Sequence, residues 1–150
     1  KDEHLFEGTN SRLDSLQAVI LNVKLKHLTA WTEKRIANAQ AYMDNLKDVR
    51  SVSLPIIRQN AVHSFHLFVI LADHRDELKD FLQERGVQTQ IHYPSALPFE
   101  PAYSFLKHSE KDFPVSARLQ KSVLSLPVHP ELTEAQINYV CGMIRLFYGF

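Results

Sequence analysis

The amino-acid sequence predicts an α/β (α+β) fold, with a long helical lead-in ahead of a small layered domain. Three observations predict it. Apolar residues recur every three or four positions from Leu13 to Leu46, with no Gly or Pro until Pro55. A run rich in aromatic and β-branched residues follows at Ser64–Leu71. Beyond it, helical and extended patterns alternate to the end, without repeats or low-complexity tracts.

The lead-in is read as one helix, or as two joined by a bend near Lys26–Thr29. Leu13, Leu16, Ile20 and Val23 form one face, continued by Leu28, Trp31, Ile36, Ala39, Tyr42, Met43 and Leu46. Asn10 or Ser11 is the expected N-cap, with Asp14 placing negative charge in the first turn. Little of the remaining chain is available to cover a stripe running from Leu13 to Leu46, so the chain is expected to self-associate through it, most simply as a two-fold dimer. Val52–Pro55 and Ser64–Leu71 read as extended. Asp73 is expected to cap a helix holding Leu78, Phe81 and Leu82, closed by Gly86. Val87–Ile91 alternates as a half-buried strand does. Pro94, Pro98 and Pro101 then exclude any long regular element. Pro114 opens a helix expected to run through Val123, Ser125–Pro130 reads as an extended link, and Thr133 with Gln136 forms a capping box for the last helix.

Composition narrows the function. The 150 residues carry 17 Lys+Arg against 17 Asp+Glu, which argues against a dedicated nucleic-acid binder. No stretch of 18 apolar residues spans a bilayer. The single cysteine, Cys141, excludes an internal disulfide framework and a multi-Cys zinc module. The four glycines are too scattered for a phosphate-cradling loop. A chain of a reducing compartment, the cytoplasm, is expected. It opens at Lys1 without an initiator Met or a signal-peptide pattern, which suits a processed or excised chain.

Chemistry-bearing constellations are sparse. His63 and His66 sit at an odd offset in an extended run, which points them to opposite faces. Cys141 lies mid-helix on the apolar side and reads as an inert core thiol. No metal site is expected. Two polar segments stand out, each with two readings. Asn10-Ser11-Arg12 puts an amide, a hydroxyl and a guanidinium at a helix start, which is either a phosphate or carboxylate site or a plain cap with a solvated Arg. His92-Tyr93-Pro94 either projects a titratable ring and a phenol from a fixed point, or packs as a satisfied strand end.

At these residues a resemblance enters. Gly8-Thr9-Asn10-Ser11-Arg12-Leu13-Asp14-Ser15-Leu16-Gln17-Ala18 resembles the G-x-N-S-R-L-D-x-L-Q-A motif of the DegT-type nucleotide-sugar aminotransferases, pyridoxal-phosphate enzymes of fold type I. Gly86-Val87-Gln88-Thr89-Gln90-Ile91-His92-Tyr93-Pro94 is similar to the family's G-I-x-T-x-I-H-Y-P. Phe113-Pro114-Val115, Leu124-Ser125-Leu126-Pro127 and Leu132-Thr133 follow in matching order. The resemblance covers essentially the whole chain. It departs at Pro98 and Glu100, which stand where many relatives carry His and Gln.

The resemblance implies connecting helices over residues 1–50 and the small C-terminal domain over 51–150, with helices on a small, mainly antiparallel sheet. It implies that the large cofactor-binding domain and the Schiff-base lysine lie upstream of Lys1, so this chain alone contributes no catalytic residue. Asn10 is then the amide that reaches the phosphate of pyridoxal 5'-phosphate in a homodimer partner, with Arg12 close by, and His92 and Tyr93 line the sugar-nucleotide site. Glutamate and a nucleotide-linked keto sugar are the implied substrates, in bacterial surface-polysaccharide or antibiotic-sugar pathways. A dehydratase of the same scaffold, or a folded fragment acting only by association, are the alternatives.

Overall fold

The computed structural model describes residues 4–10 and 13–150. Arg12 and Ser11 lie outside the described residues. Helix α1 spans Ser15–Leu25 and α2 spans Leu28–Leu46, so the chain bends at Lys26–His27, inside the expected window. The start of α1 differs from expectation. Asp14, not Asn10 or Ser11, is the N-cap, and its carboxylate accepts the Gln17 N–H at 2.7 Å.

The two helices have different surroundings. No residue of α1 is buried, and Leu16 and Val23 are 71% and 60% exposed. In α2, Ala39, Tyr42 and Leu46 are buried and belong to the main core. The apolar stripe read along the lead-in is therefore two surfaces: an outward one on α1 and an internal one on the second half of α2.

Three antiparallel strands form the sheet in the order β1–β2–β3, with β1 at Val52–Ser53, β2 at Phe68–Ala72 and β3 at Val123–Leu126. Phe68, Ile70 and Ala72 of β2 are buried and alternate with half-buried Val69 and Leu71, the period-2 pattern of a strand facing a core. They pack with Ile137, Val140, Cys141 and Ile144 of α5 (Glu134–Tyr148) and with Leu78 and Leu82 of α3 (Arg75–Glu84). Burying each large apolar side chain contributes about 1.5–3 kcal/mol, so this shared interior holds α2, α3, α5 and the sheet together. A bidentate ion pair, Arg145 to Asp48 at 2.6 and 2.7 Å, fastens α5 to the turn after α2.

Several expected elements differ in extent. The strand expected at Ser64–Leu71 begins only at Phe68, because Phe65 has a left-handed φ of 45° and turns the chain. Its N–H donates to His63 Nδ1 at 2.9 Å, and its ring enters the core against Phe68. The strand expected at Val87–Ile91 is reduced to one bridge, Gln90 with Ser125, although Val87 and Thr89 are buried in alternation as expected. The N-cap of α3 is His74, in the left-handed region, rather than Asp73, and Asp76 and Glu77 supply the first-turn charge. Helix α4 (Pro114–Ser122) stops one residue short of Val123, which instead opens β3, and the third strand takes in the first two residues, Ser125 and Leu126, of the segment read as an extended link. The Thr133–Gln136 capping box is present, and Gly86 closes α3 at φ 75°. Among the described residues, no helix is long and apolar enough to cross a membrane.

Candidate functional site

The loop from His92 to Leu106 leaves the sheet where Gln90 pairs with β3. Backbone hydrogen bonds in both directions, at 3.1 and 2.7 Å, join Gln90 to Ser125. Two residues later, the His92 ring is half-buried, and its Nδ1 shares a hydrogen bond with the buried Ser125 Oγ at 2.9 Å. One serine thus holds the strand end through its backbone and the imidazole through its hydroxyl. Tyr93 is 74% exposed, its ring set edge-on to that of His92 at 5.6 Å. The arrangement fixes one ring and presents the phenol to solvent. Tyr93 thus follows the projecting reading of this segment, and His92, half-buried and hydrogen-bonded, follows the packed one.

The loop continues through two 3₁₀ turns, Leu97–Phe99 and Pro101–Leu106. Ala96 N–H donates to Gln120 Oε1 at 2.8 Å, which holds the loop on α4. Between the turns, Glu100 is 4% exposed and accepts the His4 N–H at 2.9 Å. That hydrogen bond, opposed by burial, holds its carboxyl below the ordinary carboxylate range. The Tyr103 phenol is raised above its ordinary value by its hydrogen bond to Glu7 and that residue's charge.

Of the four residues singled out in the sequence, His92 and Tyr93 are adjacent on this loop. Asn10 lies in the extended segment before α1, exposed, and no hydrogen bond to its amide is found among the described residues. Asp14 takes up the Gln17 N–H, so Asn10 is not the cap of α1. An exposed amide donor without a partner among the described residues fits a phosphate oxygen. The segment is joined to the loop through His4, not through Asn10 itself.

Sequence reasoning missed Ser125, Gln120 and the buried role of Glu100. Ser125 had a legible signal, since Val123-Leu124-Ser125-Leu126 is a short β-prone run with one polar member. Gln120 and Glu100 had none, because their partners lie 24 and 96 residues away. Elsewhere, a cleft of about 410 Å³ lies between the start of α2 and the loops at Ser64 and His129, and holds none of the four residues. No cluster of metal-ligating side chains occurs among the described residues. Cys141 is buried, and burial pushes its thiol up to about 12, in keeping with an inert core group.

Comparison with known proteins places this architecture. Residues 1–145 match the model of the DegT/DnrJ/EryC1/StrS aminotransferase family. The chain is 42% identical over 142 residues to the erythromycin biosynthesis sensory transduction protein EryC1 of Saccharopolyspora erythraea, covering 95% of this chain and 39% of that protein. It is 36% identical over 145 residues to the dTDP-3-amino-3,4,6-trideoxy-alpha-D-glucose transaminase of Streptomyces venezuelae, covering 97% and 38%. The crystal structure of S. venezuelae DesV in complex with a ketimine intermediate superimposes with a TM-score of 0.88 at 35% identity, over 100% of this chain and 40% of that one. The fold is that of part of a sugar aminotransferase. The chain belongs to the DegT/DnrJ/EryC1/StrS aminotransferase family, and it spans about 40% of the length of the relatives it matches.

Proposed function

We propose that this chain forms part of a pyridoxal-phosphate-dependent aminotransferase that moves an amino group from glutamate to the keto carbon of a nucleotide-linked sugar. What carries the reading is the pairing of two segments in one fold. One offers the exposed Asn10 amide, and the other presents Tyr93 beside a hydrogen-bonded His92, in a chain with relatives named as transaminases of dTDP sugars.

Pyridoxal phosphate, when bound, supplies the electron sink for amino transfer. With the cofactor bound, the Asn10 amide would donate an N–H to its phosphate, and the Arg12 guanidinium would supply positive charge to cofactor or substrate anion. His92, oriented by Ser125, and Tyr93 bind the hydroxyls or phosphates of the sugar nucleotide. None of the lysines here carries the family's Schiff-base context, so proton transfer at the reacting carbon belongs to a lysine outside this chain. Two copies associate through α1, whose apolar side chains are exposed along its length, so that Asn10 of one copy serves the cofactor of the other. The single buried thiol suits the reducing cytoplasm.

The test is turnover by the full protein with pyridoxal phosphate, glutamate and a dTDP- or UDP-linked keto sugar, followed by mass spectrometry. The expected product has an amino group in place of the keto oxygen, with 2-oxoglutarate formed alongside. Loss of a sugar hydroxyl without nitrogen gain would replace this reading with the dehydratase one.

A further inference from the structure

Glu100 is a carboxylate at 4% exposure whose donor comes from the far end of the sequence. Its Oε2 accepts the His4 N–H at 2.9 Å and lies 3.4 Å from His4 Nδ1. Two residues on, Ala102 N–H donates to the His4 carbonyl at 2.8 Å, so His4 is bonded through both its backbone groups. A buried carboxylate is costly without donors, and here one donor is the backbone of the segment that leads to Asn10. The same loop is held to α4 through Ala96 and Gln120. Its start carries His92, locked to β3 through Ser125.

We infer that Glu100 is a positioning residue: it clasps the segment carrying Asn10 to the loop carrying His92 and Tyr93, and so couples the cofactor-facing and sugar-facing groups of one chain. What the two segments bind rests on the aminotransferase reading, whereas the clasp itself does not. Glutamine at this position keeps an oxygen that accepts the His4 N–H, so the clasp needs an acceptor rather than a charge.

Amide hydrogen exchange of the full chain, with Glu100→Ala and Glu100→Gln compared, reads the clasp directly. Glu100→Ala is expected to speed exchange of the His4 and Ala102 amides by about tenfold or more, leaving Ile70 in β2 unchanged, and Glu100→Gln to stay within about threefold of wild type. Unchanged His4 and Ala102 amides, or an equal loss of protection at Ile70, would overturn the clasp. In the full protein, Glu100→Ala is expected to raise both the pyridoxal phosphate Kd and the KM for the sugar nucleotide, with Glu100→Gln restoring both. Faster exchange with neither constant changed would overturn the coupling. Absence of turnover by the wild type would count against the aminotransferase reading alone, because the exchange result does not depend on activity.

Discussion

Replacing Ser125 by alanine removes one oxygen and separates the two jobs this residue performs. Its backbone pairs with Gln90 and, in the β2–β3 register, stands opposite Val69; neither contact needs the hydroxyl. The Oγ meets His92 Nδ1 at 2.9 Å beside a ring that is only half-buried. A hydrogen bond of this kind contributes about 0.5–1.5 kcal/mol, and the freed imidazole nitrogen can turn to water, which keeps the loss near the middle of that range. About 1 kcal/mol in a domain of this size lowers Tm by roughly 2–4 °C. The ring should also lose its fixed orientation, seen as changed 15N imidazole shifts of His92, and the KM for the sugar nucleotide should rise by roughly threefold to tenfold with kcat little altered. Thermal unfolding, NMR and steady-state kinetics on the full protein measure the three effects. An unchanged His92 spectrum and an unchanged KM would refute the claim that Ser125 orients this ring for binding.

Three further outcomes follow from the geometry. Tyr42 is fully buried and stacked on Phe68 at 5.0 Å, and its hydroxyl has no hydrogen-bond partner among the described residues, so Tyr42→Phe should stabilise the protein by about 1 kcal/mol in urea unfolding. Asp48 is held below the ordinary carboxylate value, chiefly by its hydrogen bonds to Arg145. Its stabilising effect is therefore present above about pH 4 and lost as pH falls through the lowered folded value. The stability gap between wild type and Asp48→Asn, followed by denaturant titration at several pH values, should close in acid. The double variant Leu16→Asp, Ile20→Asp places charge on the exposed face of α1, and sedimentation equilibrium should show a dimer converted to a monomer with an intact far-UV spectrum.

The parts of the fold legible in the sequence were those set by local pattern. The period of the lead-in, the capping box at Thr133 and the glycine closing α3 each depend on residues within a few positions. Errors arose where distant contacts decide. Phe65 lies in a β-prone run yet leaves the strand because its ring is buried against Phe68. Val123 continues a helical face but is drawn into the sheet by pairing with Leu71. The stripe from Leu13 to Leu46 and a bend within Lys26–Thr29 were visible, but not the difference in burial between its two halves, since only packing on α5 distinguishes Tyr42 from Leu16. In the candidate site, His92 and Tyr93 stood out by their proline-bounded position. Ser125 and Glu100 acquire their roles only once His92 and His4 arrive beside them.

The account turns on whether Asn10 serves the cofactor. With Asp14 capping α1, Asn10→Ala should leave helicity and Tm nearly unchanged, which separates binding from folding. Losing a charge-assisted phosphate contact costs about 1.5–3 kcal/mol, or roughly tenfold to a hundredfold in pyridoxal phosphate Kd. Titration of the full wild-type and Asn10→Ala proteins with pyridoxal phosphate, followed by absorbance, measures this. The account predicts a rise of that size at constant Tm; an unchanged Kd would contradict it.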